Sequence, residues 1–311
     1  MFQEQNGSCL TFLDADSGQG FMFDVCVIGH VTRGLLTING KTERKLPGGT
    51  AYYAGISCKS LGLDTAVITK VAKEDEPALL SELKSSGVAV FGSPTEQTTV
   101  FENIYSRDNP DFRRQKVQAV AAAFSPRDLA DLRASAFHVG PLTNRDLAAG
   151  FLRKVSGRGG IVSLDVQGLL RKVDRGEVRQ EDWPQKKAGL AYVDILKADE
   201  DEARILTGEE DMARAARKLA GFGPKEVIVT LGSRGSLVFC HERLYEIPAF
   251  APRMVVDATG CGDTYMAGYL FQRLRSVDVE IAGRFAAALA TLKLERFGPF
   301  TGKARDAQAF L

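Results

Sequence analysis

The chain alternates between short apolar runs and longer segments with helical periodicity. Buried strands are predicted for the runs that are short, apolar and rich in β-branched residues, namely FDVCVIGH, DTAVITKVA, FHVGPL, GGIVSLDV and KEVIVTLG. Helices that end at glycine are predicted between them, for example in GGTAYYAGISCKSLG, EPALLSELKSSG and NRDLAAGFLRKVSG. Because strands that alternate with helices form βαβ units, this pattern predicts an α/β fold around a parallel sheet.

The interval 98–120 interrupts this rhythm. Its segment TTVFENIY alternates in character, RDNP reads as a turn, and FRRQKVQAV is suited to pair back as a second strand. The interval of about 34–46 also predicts two strands, with Asn39-Gly40 as a hairpin turn. Together the two intervals predict a small, mostly antiparallel sheet outside the main one. Such a sheet would serve as a lid over a site, although two ordinary surface hairpins would give the same pattern.

One unit accounts for almost the whole chain. Residues 22–311 contain no internal repeat, no low-complexity tract and no Pro/Ser-rich linker. We therefore expect a single α/β domain with lid strands from about 34–46 and 98–120. Residues 1–21 are polar, glycine-rich and aperiodic, and we expect them to be a loosely held N-terminal extension.

Charge and composition exclude several classes of protein. The 40 Lys and Arg against 39 Asp and Glu give a net charge of +1, which offers no electrostatic footprint for nucleic acid or an anionic membrane. No run approaches the roughly 18 apolar residues of a membrane span, and the N-terminal residues lack the features of a secretory signal. The five cysteines and three histidines lack the spacings of zinc sites. We therefore expect a soluble, cytoplasmic protein without nucleic-acid or membrane partners.

The sharpest chemical motif is DATGCGD, which spans residues 257–263. A strand at MVV is predicted to lead into it and an apolar helix to leave it. Its glycines allow a tight turn, and backbone N–H groups at a helix start attract an anion. Asp263, in the first helical turn, is expected to be ionised by the helix dipole and to take a proton from a hydroxyl. A simple tight turn followed by a first-turn acid would give the same letters.

This motif resembles the D-T-x-G-x-G-D signature of the PfkB/ribokinase family of small-molecule kinases, with Ala258 where Thr is usual. The VIGH strand, the pair Gly48-Gly49, the lid and TLGSRG follow in the family's order, so the resemblance covers nearly the whole chain from Met22. It implies a ribokinase-like three-layer α/β/α fold with a central, mostly parallel sheet and a small β-sheet lid. It also implies ATP-dependent transfer of a phosphoryl group to a hydroxyl of a sugar, cyclitol or nucleoside.

The resemblance also implies roles for individual residues and for cofactors. These are a catalytic base at Asp263 with an anion hole at Gly260, Cys261 and Gly262; nucleotide contacts at Thr230, Gly232, Gly235 and Asp257; magnesium contacts at Glu202 and Asp199; and substrate contacts at Gly48, Gly49, Tyr53, Asp165 and Gln167. ATP and Mg²⁺ are the implied cofactors, and assistance by K⁺ is left open. The acceptor and ATP are the implied partners, together with a homodimer formed through the lid.

Several positions depart from the family pattern. The magnesium motif reads D-x-x-E instead of N-x-x-E, and acids at a helix start are also explained by the helix dipole. Gly34 stands where sugar-binding relatives carry an Asp, and Tyr53 stands where ribokinases carry an Asn. Tyr52 and Tyr53 are suited to stack on a ring, or alternatively to pack their helix against the sheet.

Two alternative functions stay open at this point. Loss of the acid at Gly34 suits a binding or regulatory protein that keeps the fold without turnover. The βαβ rhythm also permits a dinucleotide-dependent oxidoreductase, but IGHVTRG stands where that class needs G-x-G-x-x-G after the first strand.

Overall fold

Two β-sheets and their covering helices make up the part of the chain that this computed structural model describes, residues 23–38, 41–105, 113–129 and 131–311. The predicted extension 1–21, the Asn39-Gly40 turn and the RDNP turn lie outside the described residues.

The described strands and helices follow the alternating order of the sequence. The strands are β1 (Phe23–Ile28), β2 (Thr32–Ile38), β3 (Lys41–Gly48), β4 (Thr65–Ile68), β5 (Ala89–Phe91), β6 (Val100–Tyr105), β7 (Arg113–Ala119), β8 (Ala134–Val139), β9 (Ile161–Asp165), β10 (Arg171–Asp174), β11 (Glu177–Gln180), β12 (Ile195–Asp199), β13 (Glu226–Thr230), β14 (Ser236–Cys240) and β15 (Arg243–Ile247). The α-helices are α1 (Thr50–Ser60), α2 (Glu76–Leu79), α3 (Ser81–Ser85), α4 (Phe151–Ser156), α5 (Lys186–Leu190), α6 (Glu200–Thr207), α7 (Met212–Ala220), α8 (Cys261–Arg273), α9 (Val279–Leu294) and α10 (Ala304–Gln308).

The main sheet has the order β15-β14-β13-β12-β9-β8-β1-β4-β5 within the described residues. The strands from β13 to β5 are parallel, and β14 and β15 add an antiparallel edge. The predicted parallel sheet is therefore confirmed. The five-residue central strand β12 was not predicted, because Lys197 interrupts its apolar run.

The second sheet has the order β10-β11-β7-β6-β2-β3 within the described residues. Its β2–β6 pair is parallel and the remaining neighbours are antiparallel, as expected for a small, mostly antiparallel sheet. The predicted lid intervals correspond to β2, β3, β6 and β7. The hairpin β10–β11 was not predicted, and it places the segment after Asp165 at the base of this sheet.

Helices cover both faces of the main sheet. Side chains alternate along β1, so that Val25 and Val27 face a core shared with α1, α8 and α9, while Cys26 and Ile28 face the helices α4, α6 and α7. The nearly apolar sequence of α9 is explained by its burial between α8 and the sheet. This three-layer arrangement with its second small sheet confirms the fold class expected from the sequence.

Some local predictions were wrong. No strand forms at MVV, because Met254 and Val255 are exposed and the N–H groups of Val256 and Asp257 both donate to the Leu294 carbonyl at the end of α9. The segment EPALLSELKSSG forms the two short helices α2 and α3 instead of one. No helix among the described residues is long and apolar enough to cross a bilayer.

Candidate active site

Polar side chains collect where parallel strands of the main sheet end. Asp165 ends β9, Asp199 ends β12 and Thr230 ends β13. Asp199 and Thr230 are direct partners in the sheet register. Because open α/β sheets bind ligands beyond the carboxyl ends of their strands, this edge is the candidate site.

The turn of DATGCGD starts α8 at this edge. Gly260 caps the helix in the left-handed region, with φ of 78°, and a Cβ there would overlap the Tyr53 ring. The N–H of Cys261 is already used, since it donates to the Ala258 carbonyl at 3.2 Å. Within the described chain, the N–H groups of Gly262 and Asp263 have no such partner. These two amides, at a helix start, are therefore available to an anion.

Asp263 is partly buried and accepts a hydrogen bond from the Thr50 side chain. Burial raises the pKa of Asp263 to about 6, with a further rise from the Asp165 carboxylate; the Thr50 hydrogen bond and the charges of Lys197 and Arg171 oppose it. The expected lowering by the helix dipole is therefore outweighed by burial. A carboxylate with this pKa is a better proton acceptor near neutral pH than an ordinary Asp.

A buried ion pair lies beside the turn. Oδ2 of Asp165 is 3.0 Å from Nζ of Lys197, and Oε2 of Glu202 is 4.0 Å from the same nitrogen. A Cβ built on Gly262 would lie 3.3 Å from Nζ of Lys197, so the ammonium adjoins the anion turn. Burial lowers the pKa of Lys197, but the facing carboxylates more than offset this, so the net shift is upward. Lys197 was not predicted as a site residue; the signal that could have found it is a lysine within an apolar strand.

Asp199 and Glu202 form a capping box at the start of α6. The Glu202 N–H donates to Oδ1 of Asp199 at 2.8 Å, and the Asp199 N–H donates to Oε2 of Glu202 at 2.7 Å. Burial raises the pKa of Glu202 although the Lys197 ammonium opposes the rise. No group of three or more His, Cys, Asp and Glu in the described part of the chain is arranged to hold a metal ion directly. The two carboxylates fit Mg²⁺ that is held mainly by phosphates and water.

The loop TLGSRG adjoins this helix start. Oγ1 of Thr230 lies 3.5 Å from the Ala198 carbonyl, and the Leu231 N–H donates to the Gly235 carbonyl at 2.8 Å. Arg234 forms an ion pair with Glu200, in the first turn of α6. The loop that contains Gly232 is thereby tied to the helix that carries Glu202.

The predicted substrate residues separate into two groups. Gly49 caps α1 with φ of 88°, and a Cβ there would overlap the His30 carbonyl, so only glycine lets Thr50 reach Asp263. A Cβ on Gly48 would meet Oγ1 of Thr32 at 2.9 Å. On the other side, Asp165 is 5 % exposed and its Oδ1 accepts from the Gln167 N–H at 3.1 Å; the Gln167 side chain is partly exposed.

The two tyrosines are buried. Tyr52 donates to Oε2 of Glu82 in α3 at 2.5 Å, and the Tyr53 ring packs beneath Gly260. This packing does not fit stacking on a substrate ring, and it corrects that expectation for both residues. The alternative that the tyrosines pack α1 against its neighbours describes them better. Gly34 lies in β2 of the small sheet, paired with Leu46 and Phe101.

Comparisons with known proteins agree with this geometry. A model of the pfkB family carbohydrate kinases matches residues 173–304. A cytidine kinase of Thermococcus kodakarensis is 28 % identical over 287 residues, which are 90 % of this chain and 99 % of the relative. A solved pyrophosphate-dependent kinase in the ribokinase family is 31 % identical with a TM-score of 0.83, and the match covers 92 % of this chain and 99 % of that one.

The chain belongs to the ribokinase family. A further family structure, a pyrophosphate-dependent kinase complexed with a pyrophosphate analog and myo-inositol, is 29 % identical with a TM-score of 0.81; the match covers 92 % of this chain and 99 % of that one. This member of the ribokinase family is therefore a small-molecule kinase that transfers a phosphoryl group to a hydroxyl acceptor. The resemblance seen in the sequence is confirmed, and neither a catalytically silent protein nor an oxidoreductase is supported.

Proposed function

We propose that this kinase transfers the γ-phosphoryl group of ATP to a hydroxyl of a cyclitol or a nucleoside, with Asp263 as the catalytic base. The observation that carries this proposal is the position of Asp263, with a pKa raised to about 6. It shares a helical turn with the Gly262 N–H, which has no partner among the described residues. A base and an anion site that share one turn are the two parts that phosphoryl transfer to an alcohol requires.

The step follows from these parts. The acceptor hydroxyl lies against the Asp263 carboxylate, its oxygen bonds to the transferred phosphorus, and the bond from that phosphorus to the leaving diphosphate oxygen breaks. The hydroxyl proton passes to Asp263. The amides of Gly262 and Asp263 stabilise the charge on the moving phosphoryl group. Gly260 and Cys261 contribute by shaping the turn, and the Lys197 ammonium adds positive potential beside it.

The donor site is proposed at Thr230, Gly232, Gly235 and Asp257. Mg²⁺ bound to the donor phosphates would neutralise part of their charge, with Asp199 and Glu202 reaching it through water. Pyrophosphate is a second candidate donor, because the solved relative at 31 % identity is pyrophosphate-dependent.

The acceptor is proposed from two sources. Gly34 and Tyr53 lack the polar groups that grip an open sugar, and the relatives reported above include a cytidine kinase and a structure with bound myo-inositol. Gly48, Gly49, Asp165 and Gln167 are the proposed acceptor contacts. Support comes from Thr50, next to Gly49, which donates to Asp263, and from the Asp165 carboxylate, which acts on Asp263 through its charge.

A product screen tests the function. Purified protein with Mg²⁺ and either ATP or pyrophosphate is incubated with nucleosides, inositols and sugars, and phosphorylated products are identified by mass spectrometry and ³¹P NMR. We expect product with ATP and a cyclitol or nucleoside, and a rate at least about 100-fold lower for Asp263→Asn. Product with sugars alone would overturn the acceptor class, product with pyrophosphate alone would overturn the donor, and no product at all would overturn the proposal.

We also propose the domain boundaries and the assembly expected from the sequence, with residues 22–311 as the catalytic unit in the cytoplasm and a homodimer through the lid. Support for the dimer is that β3 is an edge strand of the small sheet within the described residues, and that Leu46 on it is 48 % exposed. Light scattering of the full chain and of a Leu46→Lys variant tests the dimer.

The domain boundary is tested by deleting residues 1–21 and then measuring activity and melting temperature.

A further inference from the structure

Lys293 lies in the last turn of α9, fully buried behind the loop that leads to Asp263. Its ammonium donates to the carbonyl oxygen of Asp257 at 2.9 Å and to that of Arg296 at 3.2 Å. Oδ2 of Asp257 lies 3.3 Å away. Because a buried charge needs compensating partners, these three oxygens stabilise the buried Lys293 ammonium.

The ammonium is connected to the anion turn along two routes. Asp257, which it holds through two oxygens, also accepts the Thr259 N–H on Oδ1 at 2.9 Å, one residue before Gly260. The ammonium lies 5.8 Å from the centroid of the Tyr53 ring, which packs beneath Gly260. Removal of the Lys293 charge would therefore weaken the contacts that hold the Gly260 turn through both Asp257 and Tyr53.

The field of the ammonium also reaches the turn. Burial raises the pKa of the Cys261 thiol to about 11, and the Lys293 charge opposes that rise. A positive charge that acts on Cys261 also favours a phosphoryl anion at the neighbouring amides.

Two carbonyl oxygens and a carboxylate around one positive charge also describe a site for a dissociable monovalent cation, since carbonyl oxygens replace the hydration shell of K⁺. Here a covalently attached ammonium takes that place. We propose that Lys293 is a built-in monovalent cation that positions the anion turn, so that phosphoryl transfer by this kinase requires no K⁺. The proposal rests on the proposed function, and it makes Lys293 a positioning residue that acts through Asp257.

The test replaces the ammonium and then offers a free cation. Rates are measured for the wild type and Lys293→Ala in KCl, NH₄Cl and choline chloride at equal ionic strength. Arg273→Met is the matched control, because Arg273 is equally buried, in α8, and binds Glu226 at 2.8 Å away from the loop. Melting temperatures are recorded for every protein in each salt, which gives a readout that does not need activity.

We expect the wild-type rate to change by less than about twofold between KCl and choline chloride. Lys293→Ala should lose at least about tenfold in kcat in choline chloride and recover part of it in KCl or NH₄Cl, a loss typical of a displaced electrostatic group. Its melting temperature should be higher in KCl or NH₄Cl than in choline chloride. For Arg273→Met, neither the rate nor the melting temperature should recover selectively in KCl or NH₄Cl.

Three results would overturn the proposal. They are a wild type that needs K⁺, a fully active Lys293→Ala in choline chloride, and a folded Lys293→Ala whose rate and melting temperature do not respond to K⁺ or NH₄⁺. If the wild type transfers phosphate to no acceptor, the proposed function fails instead. The melting temperatures then still decide whether the Lys293 position takes a monovalent cation.

Discussion

The Asp165 carboxylate, at the end of β9, and the Lys197 ammonium, on the neighbouring parallel strand β12, face each other at 3.0 Å and are buried. The two charges act in opposite directions on Asp263, because Asp165 raises its pKa and Lys197 lowers it. The pair thus adjusts the pKa of the proposed base, which burial raises first.

Neutralising Asp165 and neutralising Lys197 should shift the pKa of Asp263 in opposite directions. We expect Asp165→Asn to shift the acidic limb of the kcat/KM profile to lower pH and Lys197→Met to shift it to higher pH. Lys197→Met leaves the buried Asp165 carboxylate without its cation and should cost about 3–5 kcal/mol of stability. Asp165→Asn should cost less, because the Lys197 ammonium keeps Glu202 at 4.0 Å. The profiles are therefore measured at a temperature where circular dichroism shows both proteins folded. Shifts of the same sign would contradict the electrostatic explanation.

Asp263→Asn should slow phosphoryl transfer strongly while leaving the fold intact. A positioned general base contributes about 10²- to 10⁴-fold, so kcat should fall within that range while donor binding, measured by calorimetry, persists. Asp278→Asn is the control, because Asp278 is another acid at a helix start, where it accepts the Glu280 N–H at 2.8 Å. Equal loss in both variants would mean that Asp263 serves only as a helix-start acid.

Stability should depend on pH through Asp263. Its folded pKa of about 6 lies above the ordinary value of 3.8, so its favourable contribution is complete below pH 3.8 and is lost as pH rises through about 6. At neutral pH the ionised group costs about 3 kcal/mol. Asp263→Asn should therefore melt higher than the wild type at neutral pH, and the difference should shrink on acidification. A difference that is constant between pH 4 and pH 8 would refute the raised pKa.

The Gly260 turn should tolerate no side chain. Gly260→Ala must place a Cβ against the Tyr53 ring at a φ of 78°, and we expect a loss of activity together with about 1–3 kcal/mol of stability. Gly208→Ala is the control, since Gly208 has a similar φ of 73° with open space around it. It should cost about 1 kcal/mol and keep full activity. Chemical denaturation and initial rates compare the two variants, and similar rates would show that the Tyr53 contact is dispensable.

Several parts of the site escaped prediction for identifiable reasons. β12 was missed because Lys197 breaks its apolar run, yet that lysine is held there by Asp165 from the adjacent strand. A strand at MVV was predicted because its residues are apolar. The backbone N–H groups of Val256 and Asp257 instead donate to the Leu294 carbonyl at the end of α9. Tyr53 was predicted to contact the ligand, but in the folded chain Gly260, distant in sequence, packs over its ring.

The sequence alone predicted the order of strands and helices, the lid intervals and the glycine turn before Asp263. These features depend on residues that are close together in the chain. The protonation of Asp263 and the roles of Lys197 and Lys293 were decided by folding. Burial and charges from distant segments control those properties, and no local spacing encodes which buried charge will face which carbonyl.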